Sequence, residues 1–231
     1  MRLFVEDRQR DYFRQHLYIE FEGLLASDQC EGLCGAMEDT LAGRLSCLRE
    51  KLTVIPSSEL FLAGRDLWRD SSVIADVVVH HRLAKVFSDL IDVKPLVLGY
   101  DQGFLITGDV PNDGWFAVLK NLEKVSAIQK LHGGLLLRLS GSSDSLPQST
   151  EEVIIPIPSQ VGSGVFFSAK IPVDWSSLWL CPGDRFLLIV YADPRSRYVA
   201  RAEDPHQHAL KKLGYAFGDR LKHQHHPIVY R

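Results

Sequence analysis

Histidine is the side chain best suited to hold a transition metal or move a proton near neutral pH, and the nine in this chain stand at positions 16, 80, 81, 132, 206, 208, 223, 225 and 226 of 231. No acid lies two residues after any of them. No strand can therefore offer His-x-Asp or His-x-Glu, the spacing that puts two donors on one face for a divalent ion. Cys30-x3-Cys34 and His206-x-His208 are pairs at zinc-ligand spacing. They lie far apart in different kinds of element, and cysteines on the core face of a helix and a mobile tail account for them. His223, His225 and His226, just ahead of the terminal Pro-Ile-Val-Tyr-Arg stretch, could capture transition metals weakly.

Other chemistries fail on spacing. Gly162-Ser163-Gly164 is too short for a nucleophile elbow, and it runs into Val165, Phe166 and Phe167, which read as a strand and not as the helix of a dinucleotide loop. There is no Walker loop. Asp109 to Gly114 echoes a calcium loop, but Pro111 and Lys120 occupy positions that need side-chain oxygens, so a tight turn is the expectation.

The apolar fraction of 45% with 24% charged residues is that of a globular chain able to bury one core unaided. The first 21 residues are charged throughout and lack an apolar signal core, and no later run has the length of a membrane span. A cytoplasmic location with no membrane partner is expected, and Cys30, Cys34, Cys47 and Cys181 are expected to be reduced. Net charge is −3, yet Arg195 to Arg231 holds eight basic against three acidic residues and five of the histidines. That asymmetry suits either an anionic partner or a solvated terminal face.

These residues are positioned by two kinds of element. Asp28 and Glu31 form a capping-box-like start, and Leu33, Met37, Leu41, Leu45 and Leu48 recur at helical spacing over about 20 residues, although Gly32, Gly35 and Gly43 cost roughly 1 kcal/mol each. Ser71 to Ile91 fits one or two helices capped by Ser71 or Ser72. From Pro95 onward short apolar runs alternate with Gly, Pro, Asp and Ser clusters, as strands of a sandwich or barrel do. Ser140 to Thr150 reads as an exposed loop.

Several stretches line up in order with one family. Tyr18 to Gly23 followed by Ser27-Asp28, His81 to Leu90 followed by Pro95 to Gln102, His132 to Ser142, Gly164 to Val173, and Asp184-Arg185 to Tyr191 resemble the phytanoyl-CoA dioxygenase-like branch of the non-heme Fe(II)/2-oxoglutarate oxygenases. The chain is also similar to an uncharacterised protein family of obligate intracellular bacteria, a likeness that implies no reaction. The first resemblance implies an α+β fold, with N-terminal helices packed on a double-stranded β-helix of jelly-roll or cupin-like type. The expected layout is a single domain over 1–231: a helical lead-in at about 1–94, a β-barrel core at about 95–195 and a basic His-rich C-terminal segment at 196–231.

The resemblance also implies an Fe(II) site and 2-oxoglutarate, and here the residues depart from it. Val173 stands at the distal histidine's place, and Gly108 to Phe116, where the paired ligands should arise, offers Asp109, Asn112 and Asp113 without a histidine. Arg185, twelve residues past Val173, occupies the place of the arginine that forks onto the 2-oxoglutarate carboxylate; a strand arginine paired with Asp184 or Asp174 is the competing reading. Tyr100, Tyr191 and Trp115 would line the barrel mouth as ligand contacts, or pack in the core.

Three functions are open on these residues. The first is a non-catalytic binding or regulatory protein for a small carboxylate or a protein partner, with no catalytic and no metal residues. The second is an oxygenase with atypical ligands drawn from His132, Asp101 or Asp109. The third is a metal-responsive DNA-binding regulator, opposed by the acidic remainder of the chain and the lack of helix-turn-helix spacing. The missing ligands favour the first.

Overall fold

The apolar runs of the second half become strands because their side chains alternate between two faces that are both buried. A computed structural model of the chain describes residues 4–108, 120–141, 157–180 and 182–231. In chain order the elements are α1 (Asp7–His16), β1 (Tyr18–Phe21), α2 (Ser27–Arg44), α3 (Ser57–Ala63), α4 (Ser72–Val78), α5 (His81–Ile91), β2 (Leu96–Leu105), α6 (Leu122–Val125), β3 (Leu131–Ser140), β4 (Gly164–Ser168), β5 (Arg185–Ala192) and β6 (Ile228–Tyr230). Short 3-10 turns cover Arg49–Val54, Leu67–Arg69, Trp175–Leu180 and Ala209–Leu213. The strands form one antiparallel sheet in the order β1-β4-β3-β5-β2-β6. No helix among the described residues is long and apolar enough to cross a membrane.

One face of the sheet carries the helices. Leu187, Ile189 and Tyr191 of β5 and Leu135, Leu137 and Leu139 of β3 pack there with Leu33, Met37 and Leu41 of α2 and Phe87 of α5. Phe87 stacks between Phe166 and Tyr191, with ring centroids 6.2 and 5.2 Å away. Gly133 permits this packing. It sits at φ 151° on the β3–β4 ladder, where an added Cβ would lie 1.9 Å from the Phe167 carbonyl oxygen and 2.9 Å from the Phe87 ring.

The helix predicted to start at Asp28 forms, but it stops earlier than the leucine spacing suggests. It ends at Arg44, leaving Leu48 70% exposed. Gly43 weakens its last turn, and the Arg44 guanidinium donates instead to the carbonyls of Ala63 (2.6 Å) and Asp66 (2.9 Å). Ser71 to Ile91 divides into α4 and α5, with the Ser71 hydroxyl accepting from the Ile74 amide.

A charged stitch joins α2 to β5. Glu38, 8% exposed, accepts from Arg185 Nε at 2.5 Å through Oε1, while Arg49 engages Oε2.

The C-terminal segment is folded back onto β2 and is not the mobile tail expected for it. β6 pairs with Leu96 and Val97, and the Leu98 amide donates to the Pro227 carbonyl at 3.0 Å. His226 Nδ1 faces the carbonyls of Leu98 (3.1 Å) and Gly99 (3.0 Å) at a β-bulge. Farther along the same edge, the Gly103 amide donates to Gly64 and the Asp66 amide to Asp101. An edge that would otherwise offer free ladder groups is thus covered.

Three variants test this packing by chemical denaturation. Gly133→Ala should lose at least about 2 kcal/mol, because backbone strain and overpacking add. Glu38→Ala should lose about 3 kcal/mol by stranding Arg185, whereas Arg49→Ala, which removes a half-exposed partner, should lose under about 1 kcal/mol. Equal losses for the last two would refute the asymmetry.

Candidate functional site

The face of the sheet turned away from the helices is the one on which an oxygenase would build its centre, and side chains fill it. Phe104 stacks on Trp175 at 5.8 Å and meets Trp179 edge-on at 6.1 Å. Val173, 4% exposed, belongs to the same cluster, and the space beside it amounts to about 10 Å³, at the lower limit for one water. Trp115, Asp109, Asn112 and Asp113 lie outside the described residues, as does Cys181.

Among the described residues no three His, Cys, Asp or Glu side chains come together as a metal site. Asp101 is fully buried, and its two oxygens accept from the amides of Leu67 (3.0 Å) and Trp68 (3.3 Å). Burial and the nearby Asp66 push its carboxyl up to about 8. His132 stands 4.0 Å from Asp193, which the Arg195 guanidinium holds down at about 2. Cys30 is buried on α2 and its thiol is pushed up to about 11 by desolvation, so it is a poor thiolate donor. The donors described do not fit an iron centre.

Of the four residues predicted to contact a ligand, three can be placed, and they do not converge. Arg185 shares the alternation of Leu187, Ile189 and Tyr191 and therefore meets the helices, where Glu38 binds it; neither Asp184 nor Asp174 is its partner. Tyr191 is fully buried on that same face against Phe87, and burial raises the pKa of its hydroxyl. The arginine that shares the alternation of Leu136 on the opposite face is Arg138, which is paired with Asp184 at 2.7 Å and also donates to the Pro158 and Ser159 carbonyls. Alternation alone could have separated Arg185 from Arg138, although it does not say which face meets the helices.

Tyr100 leads to a different place. Its ring lies on the face opposite the helices, 4% exposed, and the Arg65 guanidinium carbon sits 3.6 Å above the ring centroid. Arg65 Nη2 donates to His206 Nδ1 at 3.1 Å and stands 3.8 Å from Asp204 Oδ1. Arginine has only donors, so His206 accepts through Nδ1 and carries its proton on Nε2. Burial and the Arg65 charge hold its pKa well below the ordinary histidine value. Asp204 fixes the turn by accepting from the amides of His206 and Ala127, both at 2.8 Å.

Above Arg65 opens a groove of about 740 Å³ between α3, the 65–70 segment and residues 205–213. Beneath it, a cavity of about 20 Å³ bordered by Tyr100, Ser126 and Tyr198 has room for one water. Tyr100 and His206-x-His208 were the sequence signals for this place. The two histidines split, with His206 buried against Arg65 and His208 exposed on the groove; Arg65 and Asp204 carried no signal.

Two C-terminal histidines are thus buried and neutral, and the pKa of His226 is lowered to about 4 by desolvation. For a base buried in neutral form, the stabilisation is full above its unfolded value near 6.5 and is lost as pH falls toward the folded value. The stability advantage of the protein over His226→Asn should shrink by about 3 kcal/mol between pH 7.5 and 4. Asp101 acts with the opposite sign in both proteins and cancels from the difference. A difference that does not vary with pH would show that His226 is not held neutral.

Neither a family model nor a curated protein matches the chain. Among solved structures it is similar to SnoK, a non-heme α-ketoglutarate-dependent carbocyclase from nogalamycin biosynthesis, with a TM-score of 0.67 and 13% identity over 96% of each chain. SnoN, the non-heme α-ketoglutarate-dependent epimerase from the same biosynthesis, gives 0.63 and 16% over 97% of this chain and 98% of its own. CT296 from Chlamydia trachomatis gives 0.49 and 19% over 84% of this chain and 99% of its own. At these identities it is the architecture that is shared: helices packed on an antiparallel sheet in the oxygenase-type fold of SnoK and SnoN.

Proposed function

We propose that this chain is a non-catalytic binding protein built on an oxygenase-type fold. The six-stranded sheet is then the larger half of a double-stranded β-helix, and the bridges Lys120–Val173 and Ile128–Tyr198 belong to the smaller half. The observation that carries the reading is where the space lies. The position that the resemblance gives to a metal ligand, Val173, is packed against aromatic rings with about 10 Å³ beside it, while a groove of about 740 Å³ opens outside the barrel beside Arg65. A cupin-like barrel does not by itself imply oxygenase chemistry, because function belongs to the site. The ligand is a small carboxylate or a segment of a protein partner.

Anaerobic titration calorimetry with Mn(II), as a redox-quiet substitute for Fe(II), tests this with and without 2-oxoglutarate. No saturable binding of either is the expected result. Stoichiometric micromolar Mn(II) binding strengthened by 2-oxoglutarate would overturn it and restore an oxygenase with unusual ligands.

A further inference from the structure

We propose that the groove beside Arg65 takes a small organic acid with an apolar body and a single carboxylate, and that Arg65 receives the carboxylate. This rests on the reading of the chain as a binding protein and names the chemistry of its ligand.

The walls supply the apolar part. Leu45, Leu62 and Ala63 line one side and Pro205, Ala209 and Leu213 the other, and Leu62 is 51% exposed there. A volume of about 740 Å³ is in the range of small-ligand sites, which combine apolar walls with a few fixed polar groups.

The charges decide the polar part. The lining holds four cations (Arg44, Arg65, Arg69 and Lys212) and three carboxylates (Glu59, Asp66 and Asp70). Arg44 is consumed by Asp70, at 2.6 and 2.8 Å, and by the Ala63 carbonyl. Arg69 stands 3.4 Å from Asp66 and donates to the His225 carbonyl. Arg65 is the most loosely paired of the three. Among the described residues the hydrogen-bond partner of its guanidinium is His206, a neutral imidazole, and its Nε, like that of Arg69, has none. Its carboxylate, Asp204, stands 3.8 Å away, against 2.6 Å for Arg44 and Asp70 and 3.4 Å for Arg69 and Asp66, and also accepts from two backbone amides. The guanidinium is also nine-tenths buried, with its carbon 3.6 Å over the Tyr100 ring, so its position is set before a ligand arrives. An oriented, incompletely neutralised arginine beside an apolar groove suits a carboxylate, which accepts from a guanidinium by charge-assisted hydrogen bonds. Lys212 and His208 on the facing segment add positive charge or donors near the rim.

The probes are 11-(dansylamino)undecanoic acid and its methyl ester, which differ only in the carboxylate, with dansyl fluorescence read against the full chain. The acid should bind saturably at one site and the ester about tenfold more weakly. Arg65→Gln should bring the acid to the level of the ester while leaving the ester unchanged, and Ala209→Trp, which fills the groove, should abolish both. Equal affinity of acid and ester for the unmodified protein would overturn the role of Arg65, and that comparison needs no variant to fold. Binding undisturbed by Ala209→Trp, or no binding of the acid, would overturn the groove as its site. Neither failure touches the Mn(II) titration, which separately decides whether the chain is a binding protein or an oxygenase.

Discussion

The central strands β3 and β5 are buried on both faces, and this governs what each side chain on them can do. From Phe186 to Ala192 no residue of β5 is left to solvent. A charge on such a strand needs a partner inside the protein, because an unpaired buried ion costs several kcal/mol. Arg138 meets this on one face through Asp184 and two carbonyls, and Arg185 meets it on the other through Glu38. The step that puts Leu187 against α2 also puts Arg185 there, so a position that a linear pattern assigns to a ligand becomes a helix–sheet stitch in space.

The second constraint is the outer edge of β2. A β-bulge between Leu98 and Tyr100 breaks the ladder, and His226 takes up the carbonyls on its near side. Gly64 and Asp66 cover the far side. Two segments distant in sequence therefore meet at one bulge, and the groove opens beside it, between α3, the 65–70 segment and residues 205–213. This brings Arg65 over Tyr100 and His206 against Arg65.

Much of the architecture could be read from the chain, because it follows from periodicity. The α2, α4 and α5 helices stood out by helical spacing and the strands β2, β3, β4 and β5 as short apolar runs between turn residues, and the larger class of helices on a β-sheet followed from their order. The site was much less legible. Arg65 lies in a short segment without period, and what distinguishes it is a ring, an imidazole and a carboxylate separated from it by about 35 to 141 positions. The terminal histidines misled for a related reason. Charge composition suggested a solvated tail, but Ile228 to Tyr230 is a strand too short to stand out, and it carries His226 into the core.

The same physics explains why the groove, and not the barrel, is the place to look for a ligand. In the barrel, aromatic rings close the space around Val173, and a ligand would have to displace packed apolar surface to enter. In the groove, apolar walls are already open and the polar element is already oriented. Arg44 has Asp70 at 2.6 Å, and little of its charge remains for anything else. Arg65 has Asp204 only at 3.8 Å, and it is fixed in place by a neutral histidine and an aromatic face, which orient a guanidinium without neutralising it.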